Sequence, residues 1–405
     1  MTAPLTVAAA QARILAALTP LRSERVPLPE ALGRVLAAPV VSRRTLPPFA
    51  NSAMDGYAVR AADIAGASED SPVVLPVRGE SRAGTVPSRR LDARTAIRIM
   101  TGAPLPEGAD TVVRHEDTDN GRETVAVRVA AQHGTAVRLA GEDMHSGDRV
   151  LAPGRRLRAG DLAACAALGE AWLEVGRRPR VAVLSTGDEL VELDREPGPG
   201  QIVDSNAVSV AAAVRDAGGD PVRLGIARDT VVDLRRHLEE GARCDLVISS
   251  AGVSVGDHDH VRDVVEEMGS LDLWRVAMRP GRPLAFGAVR GVPFIGLPGN
   301  PVSSQVTFEL FARPAILTLQ GATRPHRPRS AARTLEPMEK PEGLETFHRG
   351  ILERDPHGGL PGVRLTGAQG SGILRSMVLA DCLIVLPAEG SLVPAGSVVE
   401  TIALV

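Results

Sequence analysis

The stretch 246-LVISSAGVSVGDHDHVRDVV-265 delivers Asp257, His258, Asp259 and His260 in succession, directly after an apolar run that ends in small residues and glycines. Three chemistries fit it: a phosphate cradle, a metal site or a polar turn. Adjacent loop residues point in diverging directions and no second cluster with ligand spacing accompanies them, which argues against a closed zinc site. A hard cation fits better. Magnesium takes one or two carboxylates plus the oxygens of a phosphorylated substrate, and Asp257, Asp259, Asp188 and Glu189 could line such a rim, with His258 and His260 read as solvated loop or helix-start residues.

Three more segments share this character: 185-STGDEL-190, 279-RPGRP-283 and 296-GLPGNP-301. Glycine-bearing loops and helix N-termini leave backbone N–H groups unpaired, and such groups bind phosphates and other oxyanions. Arg279 and Arg282 add forked, permanently charged donors. Each segment alone could simply close a turn; four in one chain favour an anion site. Ser185, Ser250 and Ser254 lack evident His–Asp partners, and no GxSxG, Walker A, HExxH or well-placed GxGxxG sequence is present. Metal-assisted chemistry at a phosphate is therefore the better reading than a covalent nucleophile.

The elements that must hold these loops can be read from periodicity. PRVAVLST, PVRLGIA and CDLVISS are buried strands, separated by DSNAVSVAAAVRDAGG and by DTVVDLRRHLEEGAR, a helix with Asp229 as its expected cap. Strands alternating with amphipathic helices predict a parallel sheet with helices on both faces, and in such a sheet ligands sit outside the carboxyl ends of the strands. The β pieces LWRVAMRP, PLAFGAV and VPFIGL and an apolar helix from Ser303 to Leu319 follow. Towards the N-terminus, a helix over about Val7–Leu18 and a short one opened by Pro29 and Glu30 precede β-rich pieces between Val73 and Val137, which read as a small domain inserted into the first one. After a basic, proline-bearing linker, TRPHRPRSAAR, the C-terminal stretch alternates as a small barrel or sandwich does.

Bulk properties narrow the function. At 405 residues, two to four domains are expected. With 46 basic against 49 acidic residues and a net charge of −3, no overall field draws in nucleic acid or an anionic membrane. Aromatic residues are only 2% of the chain, too few to stack bases. Lys340 is the only lysine, which reads as a compositional bias toward arginine. Cys165, Cys244 and Cys382 lie far apart and form no CxxC pair, and no apolar segment is long enough to span a bilayer, so a cytoplasmic protein is expected.

The series PPFANSAMDGYAVR (47–60), IMTGAPLPEGADTVVRHED (99–117), GEDMHSGD (141–148), PRVAVLSTGDEL (179–190), GQIVDSNAVSV (200–210), DLVISSAGVSVGDHDHV (245–261), RPGRPLAFG (279–287), GLPGNPVSSQVTFE (296–309) and QGSGILRSMVLADCLIVLP (369–387) resembles, in this order and over essentially the whole chain, the molybdopterin molybdenumtransferases of the MoeA and gephyrin E-domain family. The resemblance implies a multidomain α/β plus β protein. A discontinuous N-terminal domain (1–47 and 141–178) carries an inserted β-rich domain (48–140). A doubly wound, parallel-sheet molybdopterin-binding domain (179–325) and a C-terminal β-barrel (326–405) follow.

It also implies a homodimer with each cleft shared between partners, and a molybdopterin adenylyltransferase as a candidate partner. The implied reaction inserts molybdate into adenylylated molybdopterin with magnesium and releases AMP. A tungstate-inserting paralogue and a non-catalytic gephyrin-like scaffold are the alternatives; the chain lacks the linker and fused domain of the scaffold.

Carried over by position, the resemblance implies Asp55, Thr101, Asp143, Glu189, Asp229, Asp259, Arg275 and Arg279 as catalytic. Ser185, Thr186, Gly187, Asp188, Ser250, Gly252, Ser254, Gly256, Pro280, Pro298, Gly299, Asn300, Pro301 and Ser371 would contact the cofactor, and Glu189, Asp257 and Asp259 the metal. Two departures stand out: RPGRP replaces the common KPGKP, and Ala251 stands where glycine is usual. Ala251 is harmless if its φ is negative and costly if the turn needs φ above zero.

Overall fold

The computed structural model describes residues 4–87, 89–251 and 260–404, and divides into two compact units. One comprises Pro39–Leu151 and Ala164–Gly169, the other Met1–Ala38, Ala152–Ala163 and Glu170–Val405.

The first unit is built on five strands: β1 (Gly56–Val59), β2 (Val73–Ser81), β3 (Ala96–Ile99), β4 (Thr111–Arg114) and β5 (Thr124–Val127), in the order β4-β1-β3-β2-β5. Successive side chains of a strand point to opposite faces. Tyr57 and Val59 accordingly enter one core with Leu75, Val113, Val125 and Val127, while Ala58 enters another with Ile99 and Val112. A strand buried on both faces reads as a continuous apolar run rather than an alternating one.

The second unit holds the mixed sheet. Its strands are β6 (Arg180–Thr186), β7 (Asp220–Ala227), β8 (Leu246–Ser250), β9 (Gly269–Arg275), β10 (Pro283–Val289) and β11 (Val292–Leu297), ordered β7-β6-β8-β11-β10-β9. The first four are mutually parallel, as the strand–helix alternation predicts. The last two join the same sheet antiparallel. The reversal is made by Arg290 and Gly291, both at positive φ (52° and 82°), in a two-residue loop between paired Val289 and Val292. Positive φ at both central residues is what a twisted hairpin requires.

Five helices pack on this sheet: α1 (Val7–Ala16), α2 (Ser205–Asp216), α3 (Val231–Gly241), α4 (His260–Met268) and α5 (Pro301–Thr307). Val181, Val183, Leu246, Ile248 and Ile295 face α1, α2 and α5; the alternate residues Ala182, Leu184, Val247 and Phe294 face α3 and α4. Asp204 caps α2, accepting from the Ala207 amide at 3.0 Å. The cap of α3 is Thr230, not Asp229 as the sequence suggested: the Thr230 hydroxyl accepts from the Asp233 amide. The helix expected over Ser303–Leu319 is interrupted. After α5 the chain widens into a π turn at Phe308–Ala312 before α6 (Arg313–Leu319). Pro314 accounts for it, because its ring removes one N–H and crowds the preceding turn.

The C-terminal strands β12 (Arg329–Thr334), β13 (Glu345–Glu353), β14 (Gly362–Leu365), β15 (Cys382–Leu386) and β16 (Val398–Ala403) run in the order β13-β14-β12-β16-β15, and β15 pairs back to β13 to close a five-stranded barrel. A two-residue strand, Met278–Arg279, adds to β13 and ties the barrel to the edge of the sheet. None of the helices among the described residues is long and apolar enough to cross a membrane.

Candidate functional site

The parallel strands β6, β8 and β11 end at Thr186, Ser250 and Leu297, so their following loops share one edge of the sheet. Because β10 runs the other way, its start at Pro283, paired with Arg275 of β9, lies at that same edge. The Gly281-containing loop is therefore delivered to the strand ends by a hairpin, and the hydrogen bond from the Val276 amide to the Arg282 carbonyl (2.8 Å) closes it.

At the β6 end Ser185, Thr186, Ser249 and Ser250 are buried, and the Ser185 and Ser250 hydroxyls lie 3.1 Å apart. Their side chains thus join the strand ends to each other. Gly187 has φ of +144°, and a Cβ there would meet a Glu189 carboxylate oxygen at 2.4 Å. This glycine lets the chain turn tightly enough to expose Asp188 and Glu189. Asp229, after β7, donates its amide to Asp188 Oδ1 at 3.4 Å. Partial burial, then the negative charges of Asp188 and Glu189, raise the Asp229 carboxyl above its ordinary range. Asp229 thus lies within the field of two other acids at one end of the edge.

Opposite them are the arginines. Arg275, Arg279 and Arg282 are exposed around Pro280 and Gly281. In the strand order Glu189 follows β6 and Arg279 precedes β10, with β8 and β11 between those two strands. Between them lies the turn Pro298–Pro301 that opens α5. Asn206 donates to the Gly299 carbonyl at 2.7 Å, and the Val302 amide donates to the Ser371 carbonyl at 3.1 Å, so α2 and the barrel loop both hold this turn. Ala251 has φ of +77°. The turn does demand a left-handed residue, and here it is not glycine.

Gly252, Ser254, Gly256, Asp257, His258 and Asp259 lie outside the described residues. Among the described residues, no three His, Cys, Asp or Glu side chains are grouped to hold a metal. Of the expected metal residues Glu189, Asp257 and Asp259, only Glu189 is described; Asp188 and Asp229 lie near it.

In the first unit, Asp55 and Thr101, 46 positions apart, are brought together. Asp55 Oδ1 accepts from the Thr101 amide at 2.6 Å and its hydroxyl at 2.7 Å. These two donors, with His115 and Arg98 nearby, hold the Asp55 carboxyl below the usual range. Asp143 is exposed, its amide bonded to the Leu46 carbonyl at 3.1 Å.

Beyond Ser371, the barrel contributes residues that the sequence motifs did not mark. A 610 Å³ cavity is lined by Arg279, Glu339, Lys340, His348, Gln369 and Ser391, among others. Behind it Arg349 is fully buried, donating to Ser376 Oγ and to the carbonyls of Phe347 and Gly370. Burial, with Arg279 adding, lowers Arg349 to about 10. Its partners are neutral oxygens, so the charge stays uncompensated. The isolated Lys340 was the available signal; Arg349, one of many arginines, gave none.

A mixed α/β sheet with acids and arginines at opposite ends of one strand-end edge, joined to a closed barrel, defines a multidomain α/β plus β protein whose candidate ligand site lies at the strand ends. The family model for the MoeA N-terminal region (domain I and II) matches residues 5–169, that for a probable molybdopterin binding domain residues 182–318, and that for the MoeA C-terminal region (domain IV) residues 331–404. Molybdopterin molybdenumtransferase 2 of Mycobacterium tuberculosis is 42% identical over 383 residues, spanning 92% of this chain and 93% of that one. The molybdopterin molybdenumtransferase of Haemophilus influenzae is 37% identical over 400 residues, spanning 98% and 97%. The crystal structure of the molybdopterin biosynthesis moeA protein from Pyrococcus horikoshii OT3 matches with a TM-score of 0.84 at 28% identity, over 99% of this chain and 100% of that one. The chain belongs to the MoeA family.

Proposed function

We propose that this protein is a molybdopterin molybdenumtransferase acting in molybdenum cofactor biosynthesis, which inserts molybdate into adenylylated molybdopterin and releases AMP. The observation that supports it most is the polarity of the strand-end edge. An elongated substrate with a phosphoanhydride near one end suits a row of acids at β6 and β7 and a row of arginines at β9 and β10, with backbone N–H groups between them.

In this reading Asp188, Glu189 and Asp229, with Asp257 and Asp259, hold magnesium, which supplies charge neutralisation at the anhydride. Glu189 orients the attacking oxygen. Arg275 and Arg279 draw in molybdate, and Pro298–Pro301 and the Ser371 loop seat the cofactor. Asp55, Thr101 and Asp143 belong to the same reaction, in a cleft shared across a homodimer in the cytoplasm. The domain limits 1–47 with 141–178, 48–140, 179–325 and 326–405 are part of the proposal.

Incubation with adenylylated molybdopterin, magnesium and molybdate, with AMP followed, is the direct test. Turnover is expected, and its absence where a known relative turns over refutes the reading. Shared clefts carry their own test: mixing inactive Asp55→Asn and Glu189→Gln variants should restore part of the activity, because a mixed dimer contains one intact site. No restoration on subunit exchange removes the shared cleft.

A further inference from the structure

Among the 46 lysine and arginine residues, Lys340 alone is an amine. Its placement is specific. The side chain is buried, at 6% exposure, and Nζ donates to the Ala388 carbonyl at 3.1 Å and the Gly390 carbonyl at 2.5 Å. The Lys340 amide also donates to the Ser391 carbonyl at 2.9 Å, so main chain and side chain grip the same turn. Lys340 and Ser391, the residue that follows the turn, line the same cavity as Arg279.

An ammonium fits here for a geometric reason. Two carbonyls of a single tight turn converge on one point, which a compact three-donor group satisfies and a planar fork does not. Two of its three donors are used by the turn, and the group bonded to it is carbonyl oxygen rather than carboxylate. A buried cation without a paired anion leaves net positive charge facing the cavity. Glu339 is the one acid on the lining, and Arg279, Lys340 and the Arg349 behind outnumber it.

We propose that Lys340 is a positioning and specificity-determining residue for the oxyanion substrate: by holding the Ala388–Gly390 turn it fixes Ser391 in the cavity lining, and it adds the charge that, with Arg279, favours a small dianion. The proposal rests on the molybdenum-transfer reading above.

The test uses the full chain and molybdate alone as the probe. Lys340→Gln keeps two N–H donors for the two carbonyls but removes the charge, whereas Lys340→Met keeps only the stem. The Gln variant is expected to retain the wild-type melting midpoint, bind molybdate about tenfold more weakly by calorimetry, and show a shallower salt dependence. In turnover its KM for molybdate should rise more than its kcat falls. Wild-type molybdate affinity and salt dependence in a folded Gln variant overturn the proposal.

A second measurement needs no variant. Lys340 is the single side-chain amine, so an amine-reactive reagent followed by peptide mass spectrometry reports on it alone. Molybdate is expected to slow its labelling, and equal labelling with and without molybdate counts against the proposal. Wild-type protein that neither binds molybdate nor turns over sinks the molybdenum-transfer reading itself, and Lys340 with it. Wild-type turnover with a neutral Gln variant sinks only the Lys340 assignment.

Discussion

At the residue scale, two side chains carry a conformational or electrostatic penalty at the site. Ala251 sits at φ +77°, where a non-glycine residue pays about 1–2 kcal/mol. Glycine relieves that strain but loses more freedom on folding, so Ala251→Gly is expected to stabilise by about 0.5–1 kcal/mol net in urea unfolding; a lower midpoint would show that the methyl group packs usefully. Asp229 is held above its ordinary value of 3.8 by burial and by Asp188 and Glu189. A carboxyl raised in the folded state favours the protonated native form, and that contribution is complete below pH 3.8 and lost as pH rises through the folded value. At neutral pH the ionised group therefore weighs against the fold. Asp229→Asn is expected to melt higher than wild type at pH 7.5, with the difference closing toward pH 4, while turnover falls. Magnesium should raise the wild-type midpoint more than that of the variant, and equal responses would remove Asp229 from the cation site.

At the element scale, the loop between Met278 and Pro283 depends on how closely it approaches α5. Gly281 has φ of +93°, and a Cβ there would lie 2.4 Å from Thr307 Cγ2. Gly281→Ala adds backbone strain to a clash, and about 2–4 kcal/mol of destabilisation is expected. Thr307→Ser removes the offending methyl while keeping the hydroxyl that donates to Ser303 and Ser304 carbonyls. Gly281→Ala with Thr307→Ser should recover about 1 kcal/mol over Gly281→Ala alone; strict additivity in a double-mutant cycle would refute the contact. These elements also show what could be read in advance. The strands PRVAVLST and CDLVISS were legible because strands buried on both faces leave continuous apolar runs, and their glycine-rich ends marked the edge that matters. The arrival of Arg279 at that edge was not derivable from periodicity, because it depends on the positive φ of Arg290 and Gly291 reversing the chain. The cap of α3 departs from expectation for a related reason: Asp229 and Thr230 are both good caps, and the course of the folded chain decides that Thr230 reaches the Asp233 amide.

At the scale of the whole molecule, the barrel has a core of its own around Met338, Val363, Ile384 and Leu386, and it also shares one with the α/β region. Phe347, Leu383, Val385 and Ile402 belong to the same buried cluster as Val181, Ile248, Val306 and Phe311 of the α/β region. Each large apolar side chain so buried contributes about 1.5–3 kcal/mol. The four together therefore amount to a sum comparable with the whole stability of a typical domain. A chain ending after Pro325 is expected to lose its near-UV circular dichroism and its sharp thermal transition in the α/β region, and to bind a hydrophobic dye. The strands around Tyr57 and Val113 have clusters of their own and do not draw on the barrel, so their backbone amides should keep their protection from hydrogen exchange in the same truncated chain. A cooperative, full-length-like melt of the truncated α/β region would show that its half of the shared core suffices. The barrel would then be an accessory that brings Lys340 and Arg349 to the site, rather than part of the fold that positions Arg279.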